Sequence, residues 1–555
     1  MKRRLLASIL SLVMVLSLLP VTALARGKDD VTLYNTSEGE PQSELNGNCG
    51  ANGDNVTWTL TGDEGAYTLT ISGNGAMADY ATGGAQPWVN QRAGVEHVVI
   101  GDGVTSIGER AFMGFSALKD VVIPDSVTSY GTNAFHSCTS LSTLNIGKNV
   151  SSIGQIGIYL DTAMTVLTID AQNDSYAVID NWLYELNDDG TAYLWQVPAG
   201  VVKDAATITV PDTIDWNGKS YTVVGVGKAN ADSYTLAGAA SVTSVDLSSN
   251  VKEIGANAFH GAVKLENIDI SRVAAIGTAA FKDCTKLTAA TFADGLTTIG
   301  GNAFAGTGLT EVKLPAALTY LGKYVFSGCE DLKTVIVKSD TLEICSAAFN
   351  ADKKLEVLDL SAVKNLTLDI KDPLAINRQD AVLLICYVAG ETQKTLLNNQ
   401  FTDGTVAFAV TNGGTFPEGT VFESGKLATP VKGNSVFAGW YENADFSGSR
   451  VTVPEAGKTY YAEWVDGVQM AGVCGEANNK TKVQWELTQN SDAAGTYTLI
   501  ISGTGNMADF NVPGSNVKGI WTETAEGVAP WYTALSAAAD ATNHSVPITK
   551  IEVED

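Results

Sequence analysis

Twice in this chain a strand-like run ends in G-x-G-x-x-A. Residues 67–80 read YTLTISGNGAMADY, with Gly73 and Gly75, and residues 497–510 read YTLIISGTGNMADF, with Gly503 and Gly505. The spacing could cradle a dinucleotide pyrophosphate, but only between the strand and helix of a βαβ unit, with an acidic residue about twenty positions on. Here the preceding strand has a Trp-containing strand just upstream as its natural partner. The stretch after the first copy, ADYATGGAQPW, carries Gly83, Gly84 and Pro87 and cannot open a full helix. All four glycines therefore read as turn residues, and no NAD or ATP site is expected.

The remaining chemistry-bearing residues are dispersed. Glu185, Asn187, Asp189, Gly190 and Gln196 fall near the spacing of a calcium loop. The first ligand of such a loop should be Asp and the last Glu, and helices should flank it. Here aromatic, strand-like runs flank Asn187-Asp188-Asp189-Gly190, which reads as a β-hairpin turn. The chain has four histidines, His97, His136, His260 and His544. His136 and His260 both follow an Ala-Phe pair, so repeat sterics account for them better than catalysis does. H-E-x-x-H, G-x-S-x-G and G-x-x-x-x-G-K-[ST] do not occur. Carboxylates are plentiful, but nothing singles out a pair for glycoside hydrolysis. The sequence thus offers no catalytic, cofactor-binding or metal-ligating set.

The pattern that organises these residues is a repeat. VKEIGANAFHGAVKLENIDISR (251–272), VAAIGTAAFKDCTKLTAATFADG (273–295), LTTIGGNAFAGTGLTEVKLPAA (296–317) and LTYLGKYVFSGCEDLKTVIVKSD (318–340) align directly. Residues 104–126 and 127–149 form an earlier block, with a worn copy at 150–172, and residues 342–363 close the later one. Phe259, Phe281, Phe304, Phe326 and Phe349 recur at steps of 22 or 23. Each unit ends in L-x-x-V-x-I, as in Leu118, Val121 and Ile123, whose last two apolar positions point to one side of a strand. One such strand cannot bury its apolar face alone, whereas stacked parallel units build a continuous core. The Ala-Phe pair supplies the opposite wall as a ladder of rings. The glycine after Ile (Gly108, Gly255, Gly277, Gly300) suits a tight turn. Pro124 and Pro315 sit just past the strand, where a missing N–H does least harm.

On I-G-x-x-A-F-x-x-C-x-x-L recurring with this period, the chain resembles the BspA-like bacterial leucine-rich repeats, over about half of its length after residue 25. The resemblance implies an exported or surface protein concerned mainly with adhesion, with no catalytic residues to carry over. The expected fold is mainly β: a leucine-rich-repeat solenoid with a parallel sheet and 22–23-residue repeats, flanked by small β modules.

The expected divisions follow the pattern. Residues 1–25 are a signal peptide, 26–45 a linker, 46–100 a β cap module and 101–170 the first repeat block. Residues 171–240 are an irregular repeat and hairpin insert, 241–370 the second block and 371–400 the array end and linker. Residues 401–465 resemble the Listeria–Bacteroides repeat, a small β-grasp-like surface module, through Phe437, Gly439, Trp440, Tyr441, Phe446, Gly448, Tyr460, Tyr461, Ala462 and Trp464. Its aromatic cluster could stack on sugar, but in a module this small it reads as the core. Residues 466–555 repeat the cap: both copies carry a Cys, a Trp strand, a Tyr-Thr-Leu strand, the glycine pair, Met-Ala-Asp-aromatic and Pro-Trp. ITKIEVED in the second copy matches VEHVVIGDG in the first, which leads into the array. The chain thus stops where a second array would begin, which reads as a truncation with the anchor missing.

MKRR, an apolar run and Ala23-Leu24-Ala25 make up a cleavable export signal, so the mature chain is expected to begin near Arg26. The formal net charge is −26, and removing residues 1–25 takes three basic residues with it and leaves −29. Such a surface repels phosphate, which argues against nucleic acid and anionic membranes as partners. Membrane contact is expected only through the cleaved signal. These readings converge on a non-catalytic cell-surface protein without cofactor or metal, binding a protein or glycan on host or neighbouring cells. The alternatives are a non-catalytic accessory region of a larger glycan-directed surface enzyme, or a structural stalk without a ligand.

The third and fifth residues of L-x-x-V-x-I face away from the core. In the later block these columns include Asp246, Asn267, Asp269, Thr291, Glu311, Lys313, Thr334 and Asp359, the candidate binding face. A merely solvated sheet face would look the same. Cys138, Cys284 and Cys329 share one repeat position. Cys284 and Cys329 lie two rungs apart, roughly 10 Å at about 4.8 Å per rung, beyond the roughly 7 Å that a disulfide spans. All three are expected as buried free thiols.

Overall fold

The computed structural model describes residues 45–155, 157–158, 163–369, 382–398, 400–401, 404–433 and 435–465, together with the backbones of strands Ala471–Val473, Val483–Gln489, Tyr497–Gly503 and Ile548–Val553. The expected signal peptide, nearly all of the linker after it, part of the 371–400 stretch and most of 466–555 lie outside the described residues.

Each repeat except 273–295, which contributes one, supplies two short strands that stack in parallel on their counterparts. The L-x-x-V-x-I strands pair 23 residues apart, as in Glu311↔Thr334 and Thr334↔Val357. The V-x-x-I strands pair 22 or 23 apart, as in Ile254↔Ile276 and Ile276↔Ile299. Their inward residues Val312, Val335, Ile276 and Ile299 are all buried. The third side of each coil is the Ala-Phe stretch. There the amides of Phe259, Phe281, Phe304 and Phe326 donate to the carbonyls of Ala280, Ala303, Val325 and Ala348 in the next rung. The five rings Phe259, Phe281, Phe304, Phe326 and Phe349 stack with centroids 5.2–5.9 Å apart. All are at most 1% exposed, so the ladder joins every rung of the later block in one apolar column.

The glycine after Ile has a different cause from the one its position suggests. Gly277 and Gly300 are not left-handed. A Cβ on Gly277 would lie 2.5 Å from the Ala256 nitrogen, and one on Gly300 2.5 Å from the Thr278 nitrogen. Close approach of the neighbouring rung therefore demands glycine there. The left-handed turn falls two positions later, at Asn257, Ala279, Asn302 and Tyr324 (φ 54–58°), residues that bear side chains.

The first rung is closed by the cap. Strands Leu45–Gly50, Gly53–Thr61 and Tyr67–Gly73 pair antiparallel, and Tyr67–Gly73 then runs parallel to Val95–Ile100, which leads into the array. Fully buried Trp88 stacks on Phe112 at 6.0 Å, meets Trp58 and Tyr80 edge-on and donates from Nε1 to the Ala111 carbonyl. Trp88, with its indole nitrogen satisfied, thus covers Phe112, the first ring of the earlier block. Gly73 and Gly75 are left-handed (φ 130° and 119°), and a Cβ on Gly73 would lie 2.3 Å from the Asn55 carbonyl oxygen. Strand Gly75–Ala76 pairs with Val104–Ile107, so the glycine pair turns the chain from one sheet to the other.

The 171–240 stretch stays within the stack. Trp182–Leu186 and Thr191–Gln196 form the expected hairpin, closed by the Asn187 amide donating to the Thr191 carbonyl. A second hairpin, Thr213–Trp216 with Lys219–Val226, turns at Asn217-Gly218. Strand Lys219–Val226 then pairs parallel with Glu253–Ile254, so one 11-stranded sheet runs from the insert through the later block.

Within the stretch expected as array end and linker, 371–400, the described residues 382–398 extend the sheet. Leu384–Val388 pairs parallel with Val357–Leu360, the helix Glu391–Asn398 crosses over, and Val406–Val410 pairs with Leu384–Val388. The 401–465 module is likewise continuous with the array: Thr459–Val465 adds parallel to Val406–Val410, and Val436–Tyr441 closes the edge antiparallel. Buried runs LICYV and VAFAV satisfy strand chemistry on both faces, and that lets the parallel sheet continue after the repeat motif has faded.

Candidate binding face

The candidate columns do not form one unbroken sheet. Ser244–Asp246 pairs with Asn267–Ile268, and Glu311–Leu314 begins a separate sheet. Between them Thr288–Ala293 has no strand pairing, and Thr291 is exposed on irregular backbone. That repeat has Ala290 where its neighbours carry Val or Ile, so the smaller side chain buries less at the strand's inward position.

Asp246, Asn267, Asp269, Glu311 and Lys313 are exposed, and Thr334 is half-buried. Lys313 Nζ lies 3.0 Å from Glu311 Oε1, which neutralises both on their own strand. Asp269 Oδ1 accepts the Ser271 amide at 2.9 Å, and hydrogen bonding by Ser271 holds its carboxyl below the usual carboxylate range. The open stretch therefore presents short polar side chains of mixed sign on a rigid backbone, with no single-sign field to select small ions.

Asp359 departs from the expectation. It is only 2% exposed, and its column neighbour Val357 is also buried. Leu384–Val388 sets Tyr387 directly opposite Asp359. Beyond it the chain turns back at Thr411 and lays residues 415–422 over the face. Phe416 and Phe422 pack on Tyr387 with centroids 4.7 and 5.6 Å away. Trp464 Nε1 donates to the Thr411 carbonyl and Trp440 Nε1 to the Ala428 carbonyl, and these bonds fix the segment at both ends. Trp440 and Tyr441 are buried and Trp464 half-buried, so this aromatic cluster is core. Burial pushes the Asp359 carboxyl up to about 6, against hydrogen bonds from Ser361.

Sequence reasoning missed the cover and the groove beneath it. The available signal was GGTFPEGTVF, in which two phenylalanines interrupt a run of turn residues and must find something to pack on.

The other candidates are spent structurally. Glu185 pairs with Lys228 at 2.9 Å, and Asp189 accepts from the Thr191 amide and hydroxyl. His260 faces Asp283 at 3.4 Å and His136 lies against Ser137, each beside the ladder. Cys138, Cys284 and Cys329 are buried free thiols that donate to the Phe112, Phe259 and Phe304 carbonyls. Among the described residues no group of three or more His, Cys, Asp or Glu is placed to hold a metal ion.

Residues 90–177 and 230–362 match the BspA type leucine rich repeat region, in 6 copies. No curated protein matches the chain. Similar solved structures include a leucine-rich repeat protein from Eubacterium ventriosum, with 22% identity, a TM-score of 0.42 and coverage of 59% of this chain and 93% of that one. A leucine rich cell surface protein from Faecalibacterium prausnitzii has 20% identity, a TM-score of 0.29 and coverage of 51% and 93%. A leucine-rich repeat protein from Bacteroides ovatus has 18% identity, a TM-score of 0.33 and coverage of 65% and 94%.

Proposed function

We propose that this bacterial protein, built on BspA-type leucine-rich repeats, is exported to the cell surface. There it binds a protein or glycan of a host or neighbouring cell without catalysing a reaction. The observation that supports this reading best is the open stretch from Ser244 to Thr334. Its outward side chains are held in register by ladders 23 residues apart on either side of the unpaired rung at Thr288–Ala293, over a buried apolar core. Stacked repeats of this kind offer extended surfaces on which binding spreads over many side chains. Charges there are mixed and partly self-paired, which suits a broad polar partner rather than nucleic acid. The basic start, apolar run and Ala23-Leu24-Ala25 of the N-terminus support export.

The test pairs deletion of residues 241–370 with the double reversal Asp269→Lys, Glu311→Lys. Both positions are exposed, so the reversed protein should melt like the parent. Adhesion of coated beads to epithelial cells and to neighbouring bacteria should fall with the deletion and with the reversal. Adhesion that the deletion abolishes and the reversal leaves intact would place the partner on another surface. N-terminal sequencing of the exported protein should begin near Arg26.

A further inference from the structure

At the covered end of the strand face lies a cavity of about 340 Å³. That is the lower end of the roughly 300–1,000 Å³ usual for small-ligand sites. Its floor is array strand: Ile336, Asp359 and Ser361. Its roof is the folded-back segment, with Phe416, Pro417 and Phe422. Lys313 and Lys338 stand at the sides.

One polar atom in the floor, the Ser361 hydroxyl beside the Asp359 carboxyl, is left without a well-formed partner by the protein. Ser361 is 3% exposed, and its hydroxyl is buried without a well-formed hydrogen bond. Asp359 is 2% exposed, and only its Oδ1 accepts a geometrically sound bond, from the Ser361 amide. Buried polar atoms are nearly always satisfied, so an orphan is unusual. Keeping a carboxylate here is costly, since burial raises its proton affinity. Groups held at such expense inside a cavity mark sites more often than scaffolding.

The charges limit what could fill it. Lys338 is paired with Glu418 at 3.5 Å and Lys313 with Glu311 at 3.0 Å. A ligand ammonium that approached Asp359 would meet both lysines. A phosphate or carboxylate would meet Asp359 itself. A purely apolar ligand would seal Asp359 and Ser361 away from any donor. What remains is a neutral group with several hydroxyls and an apolar face. Its hydroxyls can donate to Asp359, exchange hydrogen bonds with Ser361 and Thr420, and accept from lysine N–H groups that the ion pairs leave over. Its C–H face can lie against Phe416 and Phe422.

We propose that the groove between Asp359-Ser361 and residues 415–422 is a saccharide subsite that takes one neutral sugar residue of a glycan. The site is distinct from the open stretch proposed for adhesion, and it holds or fails independently of that reading.

The test uses the full exported chain and the methyl glycosides of glucose, galactose, mannose and N-acetylglucosamine, each at millimolar concentration. Saturation-transfer NMR and titration calorimetry read binding. At least one glycoside should bind, and Asp359→Asn should weaken it about tenfold or more, the effect of losing a charge-assisted bond. Asn keeps the acceptor for the Ser361 amide and removes a buried charge, so the variant should fold. Ser361→Ala should weaken the same glycoside less. Three results would overturn the proposal: no glycoside binds, one binds equally well to both variants, or n-propylamine or inorganic phosphate binds the groove where the glycosides do not.

Discussion

Asp269 and Asp359 hold the same place in two repeats, four rungs apart, each in an Asp-x-Ser turn. In both, the serine amide donates to the aspartate Oδ1 at 2.9 Å. Their acidities nevertheless move in opposite directions. The exposed Asp269 carboxyl is held below its ordinary range by the Ser271 hydrogen bonds, while Asp359 is pushed up to about 6 by burial. The backbone and the local bond come from the repeat, and the chemistry comes from what lies outside it. At Asp269 the ladder ends and solvent begins. At Asp359 a further strand brings Tyr387 alongside and residues 415–422 close over the top. Motif position therefore fixes where a side chain points but not what it can do.

The comparison assumes one rigid scaffold beneath both aspartates, and the ladder is where that assumption is most exposed. Phe304 lies between Phe281 and Phe326, 5.2 and 5.8 Å away, with Phe292 edge-on at 5.5 Å. Phe304→Ala should cost about 3–5 kcal/mol, through lost burial and the cavity left behind. Denaturant melts of the parent and the variant measure it. An unchanged melt would mean that the rungs are not coupled and that the two aspartates cannot be compared on a common frame.

The next effect separates the aspartates by pH. The folded value of Asp359, about 6, lies above the ordinary 3.8, so the folded chain holds this proton more tightly than the unfolded chain does. Its contribution to stability is therefore greatest below about pH 4, falls as pH rises from 4 to 6 and stays low above 6. Asp359→Asn removes that loss and should raise stability at pH 7 by up to about 3 kcal/mol, with little change at pH 3. Asp269 has the opposite sign: its contribution is present above the ordinary carboxylate value and is lost as pH falls through its depressed one. Being exposed, it should matter little, and Asp269→Asn should stay within about 0.5 kcal/mol at pH 7. Equal pH profiles for the two variants would remove the distinction between open and covered ends.

How much of this was legible follows the same division. Phe304 and its neighbours could be placed from sequence because a 22–23-residue period fixes which residues stack, and the rings stack accordingly. Trp440 could be assigned to a core because a small module must bury its largest rings. Asp359 could not be placed, because its burial depends on Phe416 and Phe422, some sixty residues later and outside the leucine-rich repeats. The break at Thr291 was visible only as an Ala at an inward position, too weak a sign to end a sheet. Gly277 does open the expected turn, its carbonyl accepting the Ala280 amide, but what demands glycine there is the 2.5 Å approach of the preceding rung, which exists only in three dimensions.

The smallest effect concerns positions where motif and burial both repeat. Cys138, Cys284 and Cys329 share a repeat position, and unlike the aspartates all three are buried against the same ladder, Cys329 with Thr307 as an additional partner. Each is fully buried and donates to the carbonyl of a ladder phenylalanine one rung back, at 3.1–3.3 Å. Burial pushes the Cys284 and Cys329 thiols up to about 12, so neither supplies thiolate near neutral pH. The three should then behave alike. In the native protein at pH 8, a thiol reagent such as DTNB should leave them unmodified, and 6 M guanidinium should release all three together. Cys284→Ala and Cys329→Ala should each cost about 1 kcal/mol, the worth of one weak buried hydrogen bond and a small loss of packing. Intact mass after trypsin digestion without reductant should show no Cys284–Cys329 bridge. If one of the three reacts in the native state while the others do not, equal burial has failed to give equal chemistry, and the contrast between Asp269 and Asp359 would need a cause other than the cover over one of them.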